Sequence, residues 1–179
     1  MPSVRPMRRH DRQTTDREEI IQIMQACDVI RLGIKDDDGY PYIVPLNFGL
    51  EDRDGSLCIY LHSAMEGYKL DLLRMDPLVS FEMDTGHVLY SDRDRGYCTM
   101  NFRSVMGRGR IIFVEDPEAK AHDLSVMTDH YHMDHFPFNE AAIPRTQVLE
   151  LRVDTSSLTG KQKRTKIPRD QSVPTGHSM

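Results

Sequence analysis

Leu57-Cys58-Ile59-Tyr60-Leu61-His62-Ser63-Ala64-Met65-Glu66-Gly67-Tyr68-Lys69 is the stretch on which the reading of this chain turns. Its first five residues are an apolar run of strand length. Its last residues pass into Leu70-Asp71-Leu72-Leu73-Arg74-Met75, which predicts a short helix over 66–75 ending before Asp76-Pro77. A hydroxyl, a helix start and a lysine thus meet where a strand hands over to a helix. Unsatisfied N–H groups and the positive end of the helix dipole suit an anion at such a place, and a phosphate is the natural guest. The plainer alternative is that Ser63 caps the helix and Lys69 is solvated.

Outward from this junction the chain reads as strands at short spacing. Thr15-Asp16-Arg17-Glu18 has the spacing of a capping box, and Ile20, Met24 and Cys27 follow at helical intervals, so a helix is expected over 16–26. Val29 to Ile34 and Tyr42 to Leu50 read as strands. Asp36-Asp37-Asp38-Gly39 and Asp52-Arg53-Asp54-Gly55 supply turns with glycine where positive φ is expected. Leu78 to Met83 is a fourth strand, 84–95 an exposed loop, and Tyr97 to Glu115 a long or bent strand interrupted by Gly107 and Gly109. Those glycines signal a bulge or a close approach to the backbone. Pro117 opens a helix at its first position, with Leu124, Met127 and Tyr131 as its apolar stripe. A final strand covers Gln147 to Val153. The expected fold is mostly β with flanking helices, a mostly antiparallel barrel over residues 1–160, followed by a polar basic tail, 161–179.

Composition narrows the function. A chain of 179 residues is long enough to bury a core without disulfides or metal. The net charge of -5 argues against nucleic-acid binding. Cys27, Cys58 and Cys98 lie far apart with no pairing pattern, which suits a reducing cytoplasm. Met1 to Thr15 lacks the apolar core of a secretory signal, and no apolar run approaches a membrane span.

Four stretches in order resemble the FMN-binding split-barrel flavoproteins, in particular the Nim-type nitroimidazole-resistance branch of the pyridoxamine-phosphate-oxidase-like family. They are Met7-Arg8-Arg9; Asp38-Gly39-Tyr40-Pro41 through Val44-Pro45-Leu46-Asn47-Phe48; His62-Ser63-Ala64 with Gly67-Tyr68-Lys69; and Phe102-Arg103-Ser104-Val105 with Gly107 and Gly109. The resemblance covers about residues 7–155. It implies an FMN shared between two barrels of a homodimer, with Ser63 and Lys69 on the phosphate. It further implies that Val44, Pro45, Leu46 and Asn47 run beside the ring system. His62, Ala64, Arg103, Ser104 and Val105 would also flank the cofactor, with Gly107 letting the backbone pass close. The implied activity is electron transfer from a nicotinamide, through FMN, to a small acceptor such as a nitroaromatic. A flavin- or haem-binding module without specific turnover and a deazaflavin-dependent reductase are the rival readings. True pyridoxamine-phosphate oxidase activity ranks below them, because no second phosphate-like segment is present.

One position departs from the branch. Relatives often carry a histidine just before the phosphate lysine, and here Tyr68 stands there. With an ordinary pKa near 10, a tyrosine is a poor proton shuttle at neutral pH. His62 and Tyr68 are the two candidates for a catalytic group, His62 against the alternative of a histidine that satisfies a backbone carbonyl. His122, His130, His132 and His135 form a loose set without ligand spacing, so no metal is expected. The acidic runs 36–38 and 92–94 read as turns rather than calcium loops. Gly107-Arg108-Gly109-Arg110 lies inside a strand and lacks the strand–helix junction of a nucleotide loop. The basic run Lys161-Gln162-Lys163-Arg164-Thr165-Lys166 reads as a solvated tail that is also long enough to reach a cofactor phosphate or a partner subunit.

Overall fold

The computed structural model describes residues 7–137, 139–165 and 173–174. In chain order its elements are β1 (Gln13–Thr14), α1 (Arg17–Gln25), β2 (Ile30–Lys35), β3 (Pro41–Leu46), β4 (Gly49–Arg53), β5 (Ser56–Ser63), α2 (Tyr68–Met75), β6 (Leu78–Asp92), β7 (Tyr97–Val114), α3 (Pro117–His130), β8 (Gln147–Lys163) and β9 (Val173–Pro174). Single 3-10 turns cover His10–Arg12 and Glu140–Arg145. The strands pair antiparallel throughout the registers observed, as a mostly β split-barrel chain requires. By contacts the chain divides into two compact units.

The larger unit comprises 28–83 and 106–158. Its sheet order is β3-β2-β6-β7-β8-β5-β4. β2 pairs Leu32 with Val44 of β3 on one side and with Phe81 of β6 on the other. β5 pairs Cys58 with Glu51 of β4 and with Arg152 of β8. β3 stands at the end of this order, so Pro41 and Pro45 occupy an edge, where a missing ladder N–H is tolerated. One cluster of its core gathers Cys58, Tyr60, Val114, Leu124, Met127 and Val148. Burying Leu124 and Met127, about 1.5–3 kcal/mol each, is what holds α3 on the sheet. The helix begins where expected: Asp116 caps it by accepting from the Ala119 N–H at 2.8 Å, and Pro117 takes the first turn.

The expected strand 42–50 is two strands. The break falls at Asn47-Phe48, where the Phe48 N–H donates to the Tyr131 hydroxyl at 3.0 Å instead of to a ladder partner. That hydroxyl donates onward to the Asp28 carbonyl at 2.8 Å. No local signal marks this break, because its cause lies 83 residues away.

The smaller unit comprises 1–27, 84–105 and 159–179. In it α1 buries Ile20, Ile23 and Met24. The cap is one residue later than the capping box predicts: Asp16, not Thr15, accepts from the Glu19 N–H, at 2.8 Å. The Thr14 hydroxyl bonds the Glu19 carboxylate, which takes up the residue at the third helical position. Residues 84–92, expected as loop, are strand: they continue β6, which neighbours β7 in the sheet, and Val88 and Leu89 also pair with β9, so pairing overrides their weak β propensity. Lys161–Lys163 are likewise strand, not tail. Lys163 bonds Thr99, Arg164 reaches Glu19 at 3.2 Å, and the Thr165 N–H donates to Asn101 at 2.8 Å. Lys166 and the remaining tail positions lie outside the described residues, apart from β9.

Candidate functional site

At the end of β5 the chain presents His62 and Ser63, then turns through Ala64 into the glycine before α2. Gly67 takes φ +143°, a conformation open to glycine, and its carbonyl accepts from the N–H groups of Leu70 and Asp71. No side chain caps α2. Ser63 is therefore not the cap; its buried hydroxyl donates to the Ala64 carbonyl at 2.8 Å, one residue along. The first N–H groups of α2 are left without a side-chain acceptor; Asp71 stands in the same turn, with its carboxylate paired to Arg74 at 3.2 Å.

Lys69 stands in this first turn and makes no ion pair among the described residues. Its charge is felt at His62. That imidazole is held below its ordinary pKa, first by the protein around it and then by repulsion from Lys69. His62 is thus a neutral hydrogen-bonding ring at neutral pH, and no carbonyl of the described residues satisfies it. It lines a cavity of about 240 Å³ with Val29, Pro45, Leu46 and Asn47. So the strand 44–47 and the strand–helix junction, distant in sequence, meet around one concavity. Val44 is half-buried on the same strand.

Other expected residues are placed differently. Tyr68 is 53% exposed, and its hydroxyl donates to both carboxylate oxygens of Asp36, at 2.7 and 2.8 Å. That bond, with burial and the neighbouring Asp36 charge behind it, pushes its pKa up to about 12. The ring packs edge-on to Tyr42, with centroids 5.5 Å apart. Tyr68 therefore braces the β2–β3 turn and is a poor proton donor. Gly107 does admit a close approach, but of protein: a Cβ there would lie 2.6 Å from the Phe81 ring. Val105 is fully buried, so its side chain belongs to a core. Arg103 and Ser104 lie in the smaller unit, where Arg103 passes over Gly86.

The four histidines have separate environments. His122 meets Asp123 at 3.0 Å and Glu51 at 3.4 Å; His130 packs on Phe48, with centroids 4.3 Å apart; His132 stacks on Phe136; His135 meets Asp129 at 3.1 Å. Among the described residues no group of three or more histidine, cysteine or acidic side chains is placed to hold a metal ion.

Two features escaped the sequence. One is a partly buried polar cluster on β4, β5 and α3. The Tyr60 hydroxyl donates to Glu51 at 2.6 Å, Arg53 pairs with Glu51 at 2.6 Å, and Arg53 also lies 3.6 Å from Asp123. Burial raises the pKa of Asp123, the His122 hydrogen bond only partly offsetting it. Glu51 is lowered despite burial, by its bonds from Tyr60 and Arg53. The one local signal was Glu51 and Arg53, two apart and so on one face of a strand. The other is a cavity of about 450 Å³ beneath α3, which shares Asn47 and His62 with the first.

Fold and site together define a split-barrel protein with an anion-ready strand–helix junction. Residues 16–162 match the family model described as pyridoxamine 5'-phosphate oxidase, and the chain belongs to that family. It is similar to a proposed 5-nitroimidazole antibiotic resistance protein from Bacteroides thetaiotaomicron, at 35% identity over 84% of this chain and 86% of that one, with a TM-score of 0.72. The fold is shared with a flavocytochrome from Azotobacter vinelandii (22% identity, 98% and 85% of the two chains, TM-score 0.73). It is shared also with an FAD and heme binding protein from Mycobacterium smegmatis (18% identity, 91% and 83%, TM-score 0.72). No curated protein is significantly similar to the chain. No helix among the described residues is long and apolar enough to cross a membrane.

Proposed function

We propose that the chain is a flavin-dependent reductase that holds FMN by its phosphate at the start of α2 and passes electrons from a nicotinamide to a small acceptor such as a nitroaromatic. The observation that carries this reading is Lys69: an ammonium without an ion pair among the described residues, in the first turn of an uncapped helix, beside a cavity lined by Pro45, Leu46, Asn47 and His62. These residues fit a flavin's phosphate end by charge and its ring by shape. Bound there, the flavin supplies the electron chemistry; the protein supplies position and electrostatics. Lys69 and the α2 N–H groups neutralise the phosphate. Asn47 and neutral His62 offer hydrogen bonds to a polar ring edge, and Pro45 and Leu46 an apolar wall. The similarity to the nitroimidazole-resistance protein, together with the FAD and flavocytochrome names among the fold relatives, supports a flavin and a small redox partner.

A cavity of about 240 Å³ on one chain covers only part of a flavin ring. A second copy completes the site in this reading, and the edge strand β3 and the turn before it leave apolar surface for it: Tyr40 is 76% exposed and Ile43 63%. Because Tyr68 is bound to Asp36, His62 is the residue placed to hold or move a proton. The test is anaerobic. The purified protein is loaded with FMN, reduced with NADH or NADPH, and reoxidised with a nitroimidazole. Reduction by a nicotinamide and reoxidation by the nitro compound are expected. A flavin that neither nicotinamide reduces refutes the reductase assignment, and a haem Soret band in the purified protein refutes the choice of cofactor.

A further inference from the structure

The link between β3 and β4 belongs to neither strand's ladder. β3 pairs with β2 as far as Leu46 and Ile30, and β4 pairs with β5 from Gly49 and Tyr60 onward. β3 and β4 stand at opposite ends of the sheet order, so Asn47 and Phe48 cross from one end to the other between the two ladders. Backbone groups in such a link need partners from elsewhere. Phe48 is fully buried, and its N–H finds the Tyr131 hydroxyl.

The register shows what that hydroxyl does. Continued beyond Ile30 and Leu46, it sets Val29 opposite Asn47 and then Asp28 opposite Phe48. The Tyr131 hydroxyl stands between the last two: it accepts from the Phe48 N–H at 3.0 Å and donates to the Asp28 carbonyl at 2.8 Å. A direct ladder bond would span that gap in one step of about 2.9–3.0 Å. A phenol can be inserted there because its oxygen both donates and accepts. Val29 and Asn47, the pair just inside this insertion, flank the cavity of about 240 Å³. The ring that carries the hydroxyl stands edge-on to His130, with centroids 4.8 Å apart, and His130 packs on the Phe48 ring. The end of α3 thus sets where the hydroxyl stands.

We propose that Tyr131 is a positioning residue whose hydroxyl acts as a spacer in the β2–β3 ladder, keeping Val29 and Asn47 apart and so holding open the ring end of the flavin site. Tyr131 does not line that cavity; it acts through the backbone of Asp28 and Phe48. Without the hydroxyl, the Phe48 N–H and the Asp28 carbonyl are free to bond each other, and the ladder closes toward the cavity. The flavin ring then loses room between Val29 and Asn47, and Asn47 loses its aim at the ring edge. The effect on flavin rests on the flavin reading above; the spacing of the two strands does not.

Tyr131→Phe, made in the full chain, removes the hydroxyl and keeps the ring on His130. FMN and riboflavin should both weaken by the same factor, about fivefold, the contribution of one neutral hydrogen bond. The visible absorption band of the bound flavin should move as well. Fluorescence titration and absorption spectra read the two effects. Val114→Ala, which thins the core cluster away from the cavity, is the control for stability: it should lower Tm and leave flavin affinity and the band unchanged. Wild-type affinity and band in Tyr131→Phe, weakening of FMN alone, or the same losses in Val114→Ala overturn the proposal. The Phe48 amide proton, followed by NMR in flavin-free protein, tests the spacer by itself. Its shift and exchange rate should change in Tyr131→Phe, and unchanged values overturn the proposal. A wild-type protein that takes up neither flavin refutes the flavin reading, and the Phe48 amide then decides the spacer alone.

Discussion

Removing the Lys69 ammonium separates a phosphate site from a merely shaped pocket. The residue stands in the first turn of an uncapped helix, and among the described residues no carboxylate claims its charge. A charge-assisted hydrogen bond of this kind contributes about 1.5–3 kcal/mol. Lys69→Ala should therefore weaken FMN by roughly ten- to a hundredfold, at about 1.4 kcal/mol per factor of ten. Riboflavin, which has the same ring and no phosphate, should change by less than about threefold, since the cavity around Pro45 and His62 is untouched. Flavin fluorescence quenching on titration measures both. The same variant has a second readout. Lys69 is one of two causes holding the His62 pKa down, burial being the larger, so the His62 titration followed by NMR should move upward without reaching the ordinary value. If the two flavins weaken equally, or neither does, the phosphate is not at Lys69. If His62 does not move, the two side chains are not neighbours in solution.

Three further outcomes follow from the packing. Asp123 has a raised native pKa, so the folded state binds the extra proton between the ordinary value of about 3.9 and the raised one, and stability falls as pH rises through that window. The Tm advantage of wild type over Asp123→Asn should thus shrink from pH 4 upward in thermal melts; an advantage that grows with pH contradicts it. A Cβ at Gly49 would lie 2.6 Å from the Met127 backbone nitrogen, which cannot rotate away, so Gly49→Ala should cost about 1–3 kcal/mol and roughly 2–12 °C in Tm by calorimetry. An unchanged Tm would mean that α3 does not sit on β4. Ile43→Asp, a charge on the exposed face of the edge strand, should shift sedimentation from dimer to monomer and lower FMN affinity with it; a wild-type monomer that binds FMN fully contradicts the shared site.

What the sequence determined by itself is what neighbours along the chain can enforce. The apolar run before His62 forms β5, the Asp-Gly turns take positive φ at Gly39 and Gly55, and Pro117 starts α3, because each depends on a few adjacent residues. The junction of Ser63, Gly67 and Lys69 was legible for the same reason. Tertiary structure decided whatever needed a distant partner. Tyr131 breaks the strand at Asn47-Phe48; Phe81, rather than a ligand, occupies the approach at Gly107; Asp36 draws Tyr68 away from the site. The Tyr60–Glu51–Arg53 cluster and the cavity beneath α3 exist only once β4, β5, α3 and the turn at 140–145 have packed. A cavity has no local signature, since its walls come from segments up to about a hundred residues apart and its shape is set by what their side chains fail to fill.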